Sequence, residues 1–220
     1  MPALTTWWTL DVRELSPRAH SDAVLGIGAD LERRLAEPHR RYHTAHHLVE
    51  MFWALEELEQ AGEIRGRQGA LARVAAWFHD AVYDIGGPGD NERLSADLAV
   101  SSLRSLAFEA KDVETVERLI LETTRHLLPR DGGVAAAFHD ADLWILSAPQ
   151  ARFDEYCEQV REEYAAVPDD VYAPARVGIL EPFTLRDAIY ATWTAQQQWE
   201  GRARENLARE LARLRAVTSA

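Results

Sequence analysis

The sequence predicts an all-α protein, a single helical bundle of about eight or nine helices formed by 220 residues. Three observations carry that expectation. Apolar residues recur at three- and four-residue steps along nearly every long segment. Proline and glycine punctuate those segments where helices would start or stop. No alternating Val/Ile/Thr-rich run bounded by turns is present, so a sheet is not expected.

Taken in order, Val24, Leu25, Ile27, Leu31 and Leu35 predict a helix over about 16–36, with Ser16-Pro17 as cap and first residue and Pro38 beyond its end. Leu48, Met51, Phe52, Leu55 and Leu58 predict a second, from Tyr42 or His43 to Gln60, stopped by Gly62. Residues 66–84 are apolar on so many sides that a central helix is expected there. The run Gly86-Gly87-Pro88-Gly89 reads as a loop, and Asp90 or Asn91 starts a helix to about Leu106. Asp112 starts the next, which carries Val113, Val116, Leu119 and Ile120 toward His126. Further helices are expected over 134–146, from Pro149 to near Pro168, and over 172–181. A terminal segment follows from Thr184 or Asp187. Its end, 196–220, interleaves charges with Leu207, Leu211 and Leu214 as an amphipathic surface helix. With no repeat, low-complexity tract or linker, residues 1–220 read as one domain.

Composition narrows the function. The net charge of −12, from 36 acidic and 24 basic residues, argues against nucleic-acid polymers and anionic membranes as partners. It leaves room for a small phosphorylated substrate, since a local cation and a few arginines can outweigh the global field. The single cysteine, Cys157, permits no intrachain disulfide and suits a reducing compartment. No signal-like segment opens the chain and no apolar stretch approaches about 20 residues, so a cytoplasmic protein outside the membrane is expected.

The chemistry concentrates in His, Asp and Glu. His79-Asp80 ends an apolar run and can offer an imidazole nitrogen and a carboxylate oxygen to one cation over the helix face between them. A plain His-Asp hydrogen bond in a helical core is the competing explanation. Upstream, His43 and His47 stand four apart, on one face if the helix has begun by His43. Position 44 is Thr, not the Glu of the zinc-protease pattern H-E-x-x-H, so the general base of that chemistry is missing. Downstream, Asp140 and Asp142 should point to different sides, with Asp142 deeper in apolar surroundings. His126 is either a further ligand or a histidine favoured by a helix C-terminus.

The order His47 … His79-Asp80 … Asp142 resembles the H…HD…D signature of the HD-domain superfamily, all-helical metal-dependent phosphohydrolases and phosphodiesterases. The likeness is greatest to its predicted metal-dependent HD phosphohydrolases. It rests on Pro38-His39-Arg40-Arg41-Tyr42-His43-Thr44-Ala45-His46-His47, on Trp77 to Asp84 with Asn91-Glu92 and Ser95-Ala96, on Thr123 to His126, on Asp140 to Leu146, and on Glu162-Glu163-Tyr164 with Ile189-Tyr190. Together these span about 35–195. The resemblance implies a divalent ion (Mn, Mg, Fe, Co, Ni or Zn) on His47, His79, Asp80 and Asp142, with His126 as a possible additional ligand and one ion favoured over two. His46 becomes a bystander. The implied reaction is hydrolysis of a small phosphorylated metabolite or nucleotide by metal-activated water. Asp80 serves it as ligand and catalytic residue, Arg40 and His43 receive the phosphate, with Arg125 a weaker candidate, and Glu92 orients water or acts as base. Two other functions stay open: a di-iron oxygenase of the same superfamily, and a non-catalytic metal-binding interaction module. A homodimer through the terminal helix and the seven tryptophans is also open.

Overall fold

Leu4, Trp8, Val12 and Leu15 fall at three- and four-residue steps, and they bury one face of a helix that precedes the first expected one, α1 (Pro2–Leu15). The computed structural model of the chain describes residues 2–87 and 89–218. Pro88 of the expected glycine loop, Met1, and residues 219–220 of the terminal segment lie outside the described residues. The described elements are helical throughout: eleven α-helices and one short 3-10 helix, with no strand among them. That exceeds the expected eight or nine because α1 was not anticipated and the terminal segment divides in two.

Ser16-Pro17 is not a helix start. The Ser16 amide instead closes the end of α1 on the Val12 carbonyl, and its hydroxyl donates across the chain to the Leu106 carbonyl (2.7 Å). The next helix, α2 (Ser21–Leu35), therefore begins later than the periodicity suggests. The Trp8 indole N–H donates to the Val24 carbonyl (2.7 Å), and its ring meets Trp77 and Phe78 edge-on at 5.8 and 5.9 Å. Fully buried aromatic rings at such angles add to simple area burial.

The hub is α4 (Arg67–His79), every residue of whose last six is buried. Around it pack α1, α3 (Ala45–Gln60), α5 (Asn91–Ser105), α6 (Ala110–Glu122) and α7 (Val134–Asp142). The chain then tightens into the 3-10 helix Leu143–Ser147 and continues through α8 (Gln150–Glu163), α9 (Asp169–Thr184), α10 (Trp193–Gln198) and α11 (Glu200–Thr218). The terminal helix spends its apolar stripe inside the chain: Leu207, Leu211 and Leu214 are buried, and α11 lies on α9 and the 3-10 helix. Asn206 donates to the Leu146 and Ala148 carbonyls, satisfying the end of that 3-10 turn. No helix among the described residues is long and apolar enough to cross a membrane.

The packing of α1 on α2 separates two glycines of one helix. A Cβ on Gly28 would lie 2.6 Å from Trp8 Cδ1, whereas one on Gly26 would meet nothing within 4 Å. Gly26→Ala should therefore stabilise the protein by about 0.5–1 kcal/mol. Gly28→Ala should destabilise it by about 1–3 kcal/mol, because a buried indole must move. Urea midpoints of the two variants test this, and equal shifts would contradict it.

Candidate metal centre

Three helix ends bring the ligand-type side chains together. His47 sits in the first turn of α3, His79 is the last residue of α4, and Asp142 is the last residue of α7. These three helices pack against one another. Helix α3 starts at Ala45, not at His43, because the Thr44 side chain caps it by accepting from the His46 amide. The threonine that takes the place of the protease glutamate is thus a cap.

Helix α4 also stops earlier than expected. Asp80 has left helical geometry (φ −110°, ψ 19°), so the His79-Asp80 pair does not straddle a helix face. The turn instead folds the Asp80 carboxylate back to 2.8 Å from His79 Nε2. His47 Nε2 stands 3.2 Å from His79 Nε2 and 3.8 Å from Asp80 Oδ2. Asp142 Oδ1 lies 3.3 Å from His47 Nε2 and 3.5 Å from His79 Nε2. Donor atoms about 2.1 Å from a shared ion, at tetrahedral to octahedral angles, stand about 3.0–3.4 Å from one another. His47, His79 and Asp80 fit one ion as they stand, with Asp142 within reach of both imidazoles.

The outer contacts suit that task. His79 Nδ1 donates to the Ala76 carbonyl (2.8 Å), so the neutral ring presents the Nε2 lone pair to the cluster. His47 Nδ1 is 2.9 Å from the Tyr42 hydroxyl, which can accept its proton and leave Nε2 free to ligate. Burial opposes charge on His79, yet the nearby Asp80 and Asp142 carboxylates outweigh it and hold its pKa well above the usual histidine value. Burial likewise works against both carboxylates, and the cationic imidazole overrides it, holding Asp80 and Asp142 low. The site attracts positive charge from a proton or an ion.

Around this cluster opens a cavity of about 450 Å³, a size that suits a small ligand. His43 lines it, as do Glu92 and His126. The His43 ring stacks on Tyr83 with centroids 4.1 Å apart, and its Nδ1 is 2.7 Å from Glu163 Oε2. Glu163 Oε1 accepts the backbone amides of Arg41, Tyr42 and His43, and Oε2 also accepts the Tyr83 hydroxyl. Burial would raise the Glu163 pKa, but the His43 hydrogen bond and charge and the backbone amides prevail, bringing it down to about 2. Glu92, half-buried in the first turn of α5, has no hydrogen bond or ion pair among the described residues.

Arg40 is where expectation and structure part. Its side chain is 0% exposed and does not line the cavity. The guanidinium donates to the His43, Asp80 and Ala81 carbonyls and to Glu37, so it braces the turn that carries Asp80 and has little left for a phosphate. Arg125 is exposed and away from the cavity. His126 lies past the end of α6 in a left-handed conformation (φ 43°), so no helix C-terminus explains it. Its Nδ1 is 3.7 Å from Asp142 Oδ2, and burial lowers its pKa despite that neighbour.

His46 is 3.6 Å from Glu50, outside the cavity. Asp140 accepts the Ala191 and Thr192 amides, the Thr192 hydroxyl and the His139 ring, fastening the segment before α10 to α7. Cys157 is buried, which pushes its thiol up to about 12 and makes it a poor nucleophile.

No protein-family model, curated protein or solved structure matches this chain.

Glu163 makes the site acid-sensitive. Its folded pKa of about 2 lies below the ordinary 4.5, so its contribution to stability is complete above pH 4.5 and fades as pH falls toward 2. Between pH 6 and pH 3 the native protein should lose about 2 kcal/mol that a Glu163→Gln variant does not lose. Urea unfolding of both proteins at the two pH values measures the difference, and parallel losses would contradict it.

Proposed function

We propose that this protein is a metal-dependent phosphohydrolase of the HD type, acting on a small phosphorylated metabolite or nucleotide. One observation carries the reading. His47, the His79-Asp80 pair and Asp142 come from three segments far apart in sequence, yet gather their ligand atoms at the wall of one cavity. That set is the ordered H…HD…D pattern that suggested the family. Two neutral imidazoles and two carboxylates balance a dication and suit Mn, Mg, Fe, Co, Ni or Zn.

A bound divalent ion would supply a water of lowered pKa and polarise a phosphoryl oxygen. The chain's own groups do the remaining work. Glu163 holds the Nδ1 side of His43, fixing the ring against Tyr83 and leaving Nε2 to give or take a proton. Glu92, a carboxylate with no partner among the described residues, is the second proton acceptor on the cavity wall. Arg40 acts indirectly by clamping the His43 and Asp80 carbonyls, which fixes the spacing of these two side chains.

A di-iron oxygenase needs a second set of donors. His126 contributes one, with Asp142 Oδ2 as its only nearby carboxylate oxygen among the described residues. The next imidazole, His139, is already bonded to Asp140 and to the His126 carbonyl. The single group of three ligand atoms is that of His47, His79 and Asp80 among the described residues. One ion is therefore the reading adopted, and the interaction-module alternative has no observation in its favour.

The protein should bind one divalent ion per chain by elemental analysis. It should release inorganic phosphate from at least one member of a panel of small phosphoesters only when that ion is supplied. Asp80→Ala should cut the release by at least about a hundredfold, since the loss of even an outer contact to a metal ligand costs about 10- to 100-fold. A folded, ion-loaded protein that releases no phosphate across the panel overturns the reading, and two irons per chain would favour the oxygenase.

A further inference from the structure

The cavity has two unlike walls. The ion-binding residues form one, and helix α9 forms the other. Val171, Arg176, Ile179 and Phe183 line the cavity from α9 at spacings that place them along one side of that helix. Helix α9 also packs on α11. Val171 and Ile179 are each 56% exposed, large apolar residues at the cavity mouth with nothing covering them.

Arg176 is the only arginine or lysine lining this cavity among the described residues. No carboxylate among the described residues lies within ion-pair distance of it. Its one hydrogen bond goes to the Tyr156 hydroxyl, and its guanidinium lies 5.3 Å from the centre of the Tyr156 ring. Almost every other cavity-facing charge is a carboxylate or an imidazole. A half-buried guanidinium without an anionic partner is costly to desolvate, and a ligand anion removes that cost. A short series of contacts joins it to the cluster: Tyr156 meets Tyr42 with ring centres 4.5 Å apart, and Tyr42 bonds His47. The guanidinium fork suits a phosphate geometrically, and Arg40 and Arg125 are occupied or elsewhere.

We propose that Arg176 is the anion-binding residue of this cavity, and that the ligand is a phosphomonoester with an apolar body lying along the Val171–Ile179–Phe183 side of α9. The substrate class rests on the phosphohydrolase reading, but the anion site itself does not.

The test uses the full chain, with phenyl phosphate and methyl phosphate as probes, in the presence and absence of Mn²⁺. Calorimetric binding should be tighter for phenyl than for methyl phosphate by about tenfold, the worth of burying a small ring in part. Arg176→Met should weaken phenyl phosphate by about 10- to 100-fold, and Arg176→Lys should recover part of that loss. Ile179→Asp changes an exposed position and keeps the test alive if Arg176→Met does not fold. A carboxylate at the mouth should also weaken the anion, by about tenfold. Loss of binding by both variants with no phosphate release in the ion-loaded protein sustains the anion site and overturns the hydrolase reading. Ion-dependent phosphate release whose KM ignores both substitutions sustains the hydrolase and overturns the anion site. Equal affinity for the two probes overturns the apolar body.

Discussion

Two imidazole nitrogens held 3.2 Å apart, with the carboxylates of Asp80 and Asp142 closing around them, are the constraint that the rest of the structure serves. Such an arrangement does not persist for its own sake. Neutral rings would point lone pairs at each other, and the paired carboxylates would repel in a buried place. A positive charge at the centre resolves both conflicts. The fold brings the arrangement about by ending α4 at His79 and α7 at Asp142, so that the last residues of two helices meet at one place. The mutual packing of α3, α4 and α7 is therefore both core formation and assembly of the site.

A second layer of buried polar groups keeps that geometry rigid, and each of them grips several backbone groups besides its side-chain partners. Glu163 collects three successive amides of the segment 41–43, which is how α8 positions His43 from far along the chain. Arg40 collects three carbonyls from the segments bearing His43 and Asp80. Asp140 does for the segment before α10 what Glu163 does for the one before α3. Each of these charges would be expensive to bury alone, and each is compensated by several dipoles fixed in place. Removing one would loosen a loop as well as a contact.

Much of this was legible in the amino-acid order, and the exceptions have physical causes. Helical periodicity located every long element after residue 20, because an amphipathic helix must repeat its apolar residues at the helical period. It overran at His79, where the chain turns although Ala81 and Val82 continue the apolar pattern, since the turn is held by Arg40 from elsewhere. The same periodicity runs through α1 in Leu4, Trp8, Val12 and Leu15, ahead of the first helix expected from about residue 16. The residues of the His/Asp cluster stand out because His and Asp are rare inside apolar runs. The role of Arg40 was not legible, because an arginine that grips carbonyls and one that grips a phosphate look the same in a sequence. Arg176 was not singled out for the converse reason: only the fold shows that it lacks an acid. Glu163 appeared only as part of a family likeness, and its grip on the 41–43 amides is a long-range contact with no local signature.

Under the proposed function, the global charge of −12 and a phosphorylated ligand are reconciled by the order in which charges meet in the cavity. Without a metal ion, the Asp80, Asp142 and Glu92 carboxylates outnumber the two cations that face them, the Arg176 guanidinium and the His79 imidazolium that Asp80 and Asp142 favour, and an incoming anion is repelled more than it is drawn. With a dication at His47, His79, Asp80 and Asp142, the two ligand carboxylates are neutralised. Arg176 then balances Glu92, the sum of these charges is no longer negative, and an anion at an open coordination position would meet the cation directly. Under the proposed function the ion must therefore bind before the substrate, and the same carboxylates that reject a free anion become the reason a loaded site accepts one. Surface charge then works in the same direction, because an acidic exterior disfavours polyanions while leaving a small ligand to be selected inside a cavity whose charge is set locally.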